Sequence, residues 1–480
     1  MAGMYALRNL PDWLLAPLQS QQLIDSLRRH VPEFTSGELS IERCSVRRFI
    51  LKDDSGCWTG TYRLVVKSSA TGQEQTVMLF GMLTAPWLVK PSVETISSSF
   101  GSSDWRCFLP DLNLRLEPEP PENKLAVLAQ VTDAVQSRLL LEQVLHDRNQ
   151  LPKDLSIQSC TPQILSDKPG SRCIIRYDLE YSSPSVHLPH ALIGKVYRNN
   201  SKAQNAFEGM SALWQSSLAE SSLVTIAEPI AHIPDLKMML QATIPGKESL
   251  EDLLKSLIKK PQEETREAVF DYMRKTARGL AAVHQSGAVY GEHIEISERF
   301  ADAREKAHRL AVIVPELEGQ ILPMVEQLEK LAAVYPEGAV VPTHGTFNPE
   351  QVLIDGDKIG FIDFDSQCMA EPALDVGLFR AAIKDTGMNI SFASTLPDLS
   401  ERHARLSLLD EIGDAFLREY ETHVTVSRDR VALWEAIDYL RNCLHYWIKV
   451  KPAEPDHVFL VLDHHLQNCE KDHLLEQPLL

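Results

Sequence analysis

Hydrophobic residues recur along the 480-residue chain at two spacings, one typical of helices and one typical of strands. Residues 1–37 carry leucine and isoleucine at helical spacing, whereas residues 38–90 show the alternation of β-strands. A second long amphipathic stretch follows at Leu125–His146. The pattern predicts an N-terminal α/β unit over residues 1–120 and a linker helix over residues 121–150.

The strand pattern of the first unit recurs about 116 residues later. The matched pairs are Cys44 with Cys160, Cys57 with Cys173, Tyr62 with Tyr177, and Met82 with Lys195. Two antiparallel meanders can also look alike by chance, so duplication and coincidence both stay open. If the repeat is a duplication, the first copy carries Met82 where the second carries a lysine. The first copy is then a structural cap or a surface for a protein partner.

Residues 343–378 combine a turn, two short strands and paired carboxylates. The Asp355-Gly356 dipeptide is typical of a tight hairpin, because it tolerates positive φ. In a return strand over Lys358–Asp365, alternation would place Asp363 and Asp365 on one face. Two neighbouring carboxylates are costly unless a cation or a proton joins them, and Mg²⁺ is the obvious candidate.

This segment resembles the catalytic segment of the aminoglycoside phosphotransferase and choline kinase family, small-molecule kinases with a protein-kinase-like fold. The family pattern is His-Gly-Asp, four residues, Asn, a strand, Ile-Asp, and later Asp-Pro-x-x-Asp. This chain has His344-Gly345-Thr346, four residues, Gln351, a strand, Ile362-Asp363, and Glu371-Pro372-Ala373-Leu374-Asp375. Threonine therefore stands at the position of the catalytic aspartate, and glutamine at that of the metal-binding asparagine.

The resemblance implies a bilobal α+β fold preceded by an extra unit similar to a degenerate N-lobe. The β-rich N-lobe would span residues 151–245, and the helical C-lobe would span residues 246–480. Two helical patterns separated by Pro315 predict a helical hairpin inserted over residues 292–335. The hairpin either builds the acceptor side of the cleft or decorates the surface.

The resemblance also implies a nucleotide site with ATP and Mg²⁺ as cofactors. Lys195 would hold the α- and β-phosphates, and Glu208 on the next helix would pair with that lysine. The backbone of Gln241 and Thr243 would bind the adenine edge.

The remaining candidates lie in the motif itself. Gln351 and Asp363 would bind Mg²⁺. Thr346, Asp365 and His344 are the candidate catalytic residues, with Asp365 as a substitute base for the missing aspartate. Asp365 as a second metal ligand or a salt-bridge partner is the alternative.

Composition narrows the class of partner. The net charge of −18, from 66 acidic and 48 basic residues, argues against a nucleic-acid partner. No apolar run reaches the ~18 residues of a membrane span, and the first residues lack the order of a signal peptide. Eight cysteines without a C-x-x-C pair fit a reduced, cytoplasmic setting.

Two functions from different classes stay open. The first is an ATP-dependent phosphotransferase with an altered base, acting on a hydroxyl of a small molecule or a modified peptide. The second is a pseudokinase that binds a nucleotide or metabolite and acts as a scaffold or regulator. An unrelated α+β protein with a chance motif is the third interpretation.

Overall fold

The computed structural model describes most of the chain. The described residues are 10–51, 56–88, 99–119, 127–168, 171–183, 188–390, 399–450 and 455–471. The chain forms two compact units. The first comprises Met1–Pro121, Ser297–Ala333 and Ala436–Asn468, and the second comprises Glu122–Ile296, Val334–Glu435 and Cys469–Leu480.

Helices and antiparallel sheets are both extensive, so the chain is of the α+β class. The helices are α1 (Asp12–Leu15), α2 (Ser20–His30), α3 (Pro32–Thr35), α4 (Leu128–Thr132), α5 (Ala134–Asp147), α6 (Asn200–Trp214), α7 (Leu250–Lys259), α8 (Glu263–His284), α9 (Ile296–Ala311), α10 (Pro315–Val334), α11 (Ala373–Met388), α12 (Leu399–Glu421), α13 (Arg428–Lys449) and α14 (Pro455–Lys471). The strands are β1 (Leu39–Leu51), β2 (Cys57–Ser68), β3 (Glu74–Thr84), β4 (Cys107–Leu109), β5 (Leu114–Pro118), β6 (Ile157–Lys168), β7 (Arg172–Tyr181), β8 (Ala191–Tyr197), β9 (Thr225–Ile226), β10 (Pro229–Ile233), β11 (Met238–Ala242), β12 (Glu248–Ser249), β13 (Val341–Thr343), β14 (Val352–Asp355), β15 (Lys358–Phe361) and β16 (Cys368–Ala370). Among the residues that the structure describes, no helix has both the length and the apolar character needed to cross a bilayer.

The first unit and the N-lobe of the second unit contain five-stranded sheets of the same topology. The first sheet has the order β1-β2-β3-β5-β4, and the second has the order β6-β7-β8-β11-β10. The registers agree as well: Cys44 lies opposite Leu64 as Cys160 lies opposite Leu179, and Thr61 lies opposite Phe80 as Arg176 lies opposite Ile193. The first bulge also recurs, after Ile41 in β1 and after Ile157 in β6. The shared topology and register support the repeat predicted from the sequence.

The same packing contact between a tyrosine and a glycine on neighbouring strands occurs within each of the two sheets. A Cβ at Gly81 would lie 2.5 Å from Cε2 of Tyr62, and a Cβ at Gly194 would lie 2.8 Å from Cε2 of Tyr177. Both tyrosine rings are fully buried. Each ring therefore packs over a glycine on the next strand, where any larger residue would push the ring away.

The register corrects one sequence match and shows where the first copy departs from the second. Strand pairing aligns Cys57 with Arg172 rather than with Cys173. The positions that hold Lys195, Arg172 and Tyr197 in the second sheet hold Met82, Cys57 and Thr84 in the first. The first sheet therefore has the topology of the N-lobe sheet without counterparts of Lys195 and Arg172.

The inserted helical pair α9–α10 packs within the first unit. Ile313 is buried, and its Cγ1 would lie 3.4 Å from a Cβ at Gly56, directly before β2. Arg309 Nη2 donates to the carbonyl of Leu51 at 3.1 Å, at the end of β1. The sequence-based bounds placed this hairpin in the C-lobe, but Ser297–Ala333 belong to the first compact unit.

A row of aromatic rings anchors the loop between β13 and β14 in the second unit. The ring of Phe347 lies 4.7 Å from that of Phe361 and 4.9 Å from that of Phe379. Phe379 in turn lies 4.5 Å from Phe416 on α12. Because these rings are fully buried, the loop that precedes β14 is fixed to strand β15 and to helices α11 and α12.

Candidate functional site

Strands β7 and β8 place three polar side chains on one face of the second sheet. Arg172 lies directly opposite Tyr197, and Lys195 is two residues before Tyr197 on β8. Residues opposite each other in an antiparallel pair share a face, and residues two apart on one strand share it too. Arg172, Lys195 and Tyr197 therefore project in the same direction.

The carboxylates reach this face through an irregular turn after β15. The predicted strand over Lys358–Asp365 is wrong beyond Phe361, because Phe364–Ser366 forms a short 3-10 helix. Asp363 has φ 67° and ψ 46°, a left-handed conformation that costs about 1–2 kcal/mol in a residue with a Cβ. The ion pairs of its side chain hold Asp363 in this conformation.

Two cations and two carboxylates meet in what we call the four-charge cluster: Arg172, Lys195, Asp363 and Asp365. Lys195 Nζ lies 2.9 Å from Asp363 Oδ1 and 2.6 Å from Asp365 Oδ1. Arg172 Nη1 donates to Asp363 Oδ1 at 2.9 Å and also to Asp365 Oδ2. Arg172 Nη2 lies 3.4 Å from Asp363 Oδ2. The formal charges of the cluster cancel.

Burial strengthens the pairing, because the Lys195 side chain is only 5% exposed. Burial alone would lower the pKa of Lys195, but the carboxylates of Asp365 and Asp363 outweigh it and raise that pKa. Burial would likewise raise the pKa of Asp363, but Lys195 and Arg172 hold it well below its usual range. Asp363 is therefore ionised and Lys195 protonated at neutral pH.

Tyr197 places a buried hydroxyl beside the cluster. The residue is 4% exposed, and its hydroxyl has no hydrogen-bond partner among the described residues. Burial, followed by the nearby carboxylate of Asp365 as a charge and as a hydrogen-bond acceptor, raises the pKa of Tyr197 well above its ordinary value. The hydroxyl is thus neutral at ordinary pH, and Asp365 lies near it without a hydrogen bond of standard geometry.

Glu208 does not pair with Lys195, so that prediction is wrong. Its side chain is exposed on α6 and accepts a hydrogen bond from Gln204 Nε2 at 2.7 Å. A different residue ties α6 to the site: Gln367 Nε2 lies 3.2 Å from the carbonyl of Ala206. A Cβ at Gly209 would lie 1.8 Å from that nitrogen, so only glycine leaves room for the Gln367 side chain.

The two residues predicted to meet adenine differ in their surroundings. Gln241 is paired on both sides within the sheet, with Ile193 on β8 and Pro229 on β10. Its backbone is therefore part of the ladder and is not available to a base. Thr243 follows the last residue of β11, Ala242, so its backbone lies outside the strand. Of the two predicted residues, Thr243 alone stays a candidate for binding adenine through its backbone.

Asp375 anchors the turn at His344 and Gly345 through two hydrogen bonds to its backbone. Its Oδ2 accepts from the backbone N–H of His344 at 2.6 Å, and its Oδ1 from that of Gly345 at 2.8 Å. His284 Nε2 donates to Oδ2 at 3.1 Å, since a carboxylate can only accept. All these groups are buried, so Asp375 is the point at which the turn is fixed to α8 and α11.

His344 positions the turn from the protein interior. Its ring is fully buried, and Nε2 donates to the carbonyl of Ile362, the residue before Asp363, at 2.9 Å. Burial lowers the pKa of His344, which keeps the ring neutral. The hydrogen bond joins the turn directly to the carboxylate that carries the site.

Thr346 and Gln351 occupy the family's catalytic and metal positions without reproducing them. Thr346 is exposed, and its carbonyl accepts from Asn348 Nδ2 at 3.2 Å. Gln351 is buried, and its Oε1 accepts from the backbone N–H of Asn348 at 3.1 Å. The amide oxygen that would replace an asparagine ligand is thus part of a helix cap.

The side-chain oxygens of Asp363, Asp365 and Gln351 do not fit a divalent cation. Mg²⁺ is held by carboxylates together with phosphate oxygens and water, but the oxygens of Asp363 and Asp365 already accept from Lys195 and Arg172. Gln351 offers an oxygen that caps a 3-10 helix. Within the described residues, no group of three or more His, Cys, Asp or Glu side chains is arranged to hold a metal.

Sequence reasoning missed Arg172, Tyr197, Gln367 and the contact of His284 with Asp375. The spacing of two between Lys195 and Tyr197 was a usable signal, because it places both side chains on one face. Arg172 could be found only from the register of β7 with β8. No sequence signal indicated Gln367.

Comparison with known proteins places most of this site in one family. Residues 193–424 match the sequence profile of the phosphotransferase enzyme family. The comparison with curated proteins finds no match.

Three solved structures illustrate the likeness of the chain to known kinases. A choline/ethanolamine kinase family protein from Mesorhizobium loti is 16% identical and covers 66% of this chain and 88% of its own, with a TM-score of 0.40. A glucosamine kinase in complex with glucosamine, ADP and inorganic phosphate is 14% identical and covers 93% and 98%, with a TM-score of 0.45. The choline kinase LicA from Streptococcus pneumoniae is 11% identical and covers 70% and 99%, with a TM-score of 0.42. At these values the likenesses say nothing of the substrate of this chain.

The profile match includes Lys195, the turn at His344, both carboxylates of the four-charge cluster and Asp375. Only Arg172 of the cluster lies outside it. The resemblance to the aminoglycoside phosphotransferase and choline kinase family is thus confirmed for residues 193–424, which match the phosphotransferase enzyme family.

Proposed function

We propose that the second unit binds a nucleoside polyphosphate at the four-charge cluster and does not transfer its phosphoryl group at the rate of a kinase. The observation that carries this proposal is the ion pairing of both cations with both carboxylates. Guanidinium and ammonium groups on one sheet face are suited to phosphate oxygens. The hydroxyl of Tyr197, which makes no hydrogen bond of standard geometry among the described residues, is a further donor beside the cluster.

Slow transfer follows from the missing base. Thr346 cannot take a proton from an acceptor hydroxyl at neutral pH. Asp365 accepts hydrogen bonds on both oxygens, from Lys195 on Oδ1 and from Arg172 on Oδ2. Loss of a general base typically lowers a rate about 10²–10⁴-fold. The site is therefore better suited to binding than to turnover, which is the pseudokinase alternative.

A phosphotransferase that uses Asp365 as its base is the second candidate. It is favoured by the closeness of Asp365 to Lys195, at 2.6 Å, since the lysine would hold the phosphates. It requires that both cations leave Asp365 before a small-molecule or peptide hydroxyl arrives. ATP consumption across candidate acceptors tests it, and loss of turnover in Asp365→Asn would support it.

ATP binding measured by isothermal titration calorimetry tests the proposed function. We expect one nucleotide per chain, because the first sheet carries Met82 and Cys57 at the positions of Lys195 and Arg172. Lys195→Met should weaken binding at least about tenfold, the effect of losing roughly 1.4 kcal/mol of contact. Lys202→Met, on the exposed first turn of α6, is the matched control and should bind as the wild type does. Absence of ATP binding in the intact protein would refute the proposal.

The first unit is proposed to act as a structural cap or as the surface for a protein partner. Its sheet carries Met82 and Cys57 at the positions of Lys195 and Arg172. Ile313 of the inserted hairpin packs beside Gly56, directly before β2. The hairpin thus supports this unit, which is the explanation we favour over a role in acceptor binding.

A further inference from the structure

The charge of the site differs from that of the family pattern to which it is similar. That pattern combines one lysine with a helix glutamate, a catalytic aspartate and a metal-binding aspartate, which leaves two negative charges uncompensated. In this chain Glu208 is turned away, Thr346 is neutral, and Arg172 adds a positive charge. The four-charge cluster is therefore neutral without any bound ion.

The added charge lies between the two carboxylates. Arg172 Nη1 donates to both Asp363 and Asp365, and Lys195 Nζ does the same from the neighbouring strand. Asp363 Oδ2 lies 3.4 Å from Arg172 Nη2. Each of the four carboxylate oxygens thus has a cationic donor, and a guanidinium bridges the pair as a divalent ion would.

The cluster also keeps donors for an anion. The guanidinium of Arg172 has five N–H groups, and its contacts to the two carboxylates use three of them. The ammonium of Lys195 has three N–H groups, and its contacts to the carboxylates use two. The Arg172 side chain is 17% exposed, so it is reachable from solvent. The buried hydroxyl of Tyr197, opposite Arg172 in the sheet, makes no hydrogen bond of standard geometry among the described residues, although the carboxylate of Asp365 lies nearby. These unused donors point to an oxyanion.

We propose that Arg172 takes the place of a divalent cation, so that this site binds nucleoside polyphosphates free of metal. The inference rests on the proposed function, since it specifies the form of the nucleotide that the same site accepts. Arg172 and Lys195 neutralise Asp363 and Asp365 and direct their remaining donors at the phosphates. A magnesium ion would have to displace both cations from the carboxylates before it could bind.

Calorimetric titration of the full chain with ATP, in EDTA and in excess Mg²⁺, tests the inference. The two dissociation constants of the wild type should agree within about threefold, less than the tenfold that 1.4 kcal/mol represents. Arg172→Gln removes the resident cation and leaves one ammonium for two carboxylates. Its binding in EDTA should weaken at least about tenfold, and Mg²⁺ should restore much of that loss.

The matched control is Arg176→Gln on the same strand. Arg176 pairs with Asp178 at 2.8 Å, is 40% exposed and lies outside the cluster. It should bind ATP as the wild type does in both buffers. Circular dichroism melting of each variant shows whether it is folded.

Metal binding without nucleotide gives a second readout. Mn²⁺ titrated into the protein and followed by electron paramagnetic resonance should find no site at the cluster of the wild type. Arg172→Gln should gain a Mn²⁺ site, and Arg172→Gln/Asp363→Asn should lose it again. If Arg172→Gln does not fold, the two wild-type experiments decide the question alone.

The possible failures are distinguishable. Wild-type binding of ATP only in Mg²⁺, or a Mn²⁺ site at the wild-type cluster, would overturn the metal-free inference and leave the nucleotide site standing. Absence of binding in both buffers would overturn the proposed function together with the inference.

Discussion

Asp375→Asn tests whether one buried carboxylate holds the turn that carries the site. Asp375 is fully buried and accepts from three donors: the backbone N–H groups of His344 and Gly345, and His284 Nε2. Asparagine has nearly the same shape but keeps only one acceptor oxygen, so its NH₂ group must face at least one of these donors. A hydrogen bond to a charged group contributes about 1.5–3 kcal/mol, and a buried donor left unsatisfied costs about 1–3 kcal/mol. We therefore expect the free energy of unfolding to fall by about 3–5 kcal/mol.

Urea denaturation followed by circular dichroism measures this loss, and hydrogen exchange of the peptide over residues 343–348 locates it. Asp357→Asn is the control, because its side chain is fully exposed in the hairpin turn and the change should stay within about 0.5 kcal/mol. A loss below about 1 kcal/mol in Asp375→Asn, or unchanged exchange at the turn, would refute the assignment.

Three further changes have definite expected results. Gly345→Ala should lower the free energy of unfolding by at least about 3 kcal/mol, because φ is +82° and a Cβ would lie 2.0 Å from the carbonyl oxygen of Ser366. Gly356→Ala, with φ +56° and no atom within 4 Å of the added Cβ, should lower it by only about 1–2 kcal/mol. Equal losses in urea denaturation would contradict this. Burial, with Lys306 nearby, lowers the pKa of His445 from 6.5 to about 3. The unfolded state therefore takes up the proton first, and the free energy of unfolding falls as the pH drops through that interval. Urea unfolding at pH 7 and pH 5 should show that His445→Gln removes up to about 2 kcal/mol of this loss. Glu208→Gln should leave the ATP dissociation constant unchanged within about twofold by calorimetry, since Glu208 contacts Gln204, and a tenfold loss would restore it as the partner of Lys195.

The repeat and the meeting of Lys195 with Asp363 could be predicted from the sequence. Matched strand patterns at a nearly constant offset are typical of one sheet topology used twice, and the registers of the two sheets agree at the compared pairs. The spacing of the motif after His344 placed a carboxylate after a hairpin. Both are local regularities, and local regularities are what a single sequence displays.

The irregular parts of the site could not be predicted in this way. Alternation fails after Phe361, because the left-handed backbone of Asp363 aims its carboxylate at the sheet. Arg172 is 191 residues from Asp363 along the chain, and only the pairing of β7 with β8 brings it to the cluster. The expected helix partner Glu208 was wrong for a similar reason: two carboxylates that follow β15 already pair with Lys195.

A crystal structure of the protein grown with ATP and Mn²⁺, with anomalous data collected at the manganese edge, tests the role of the four-charge cluster most directly. We expect the phosphates to lie against Arg172 and Lys195, with no anomalous peak at Asp363 or Asp365. A manganese peak bound to both carboxylates, with Arg172 displaced from them, would contradict that role.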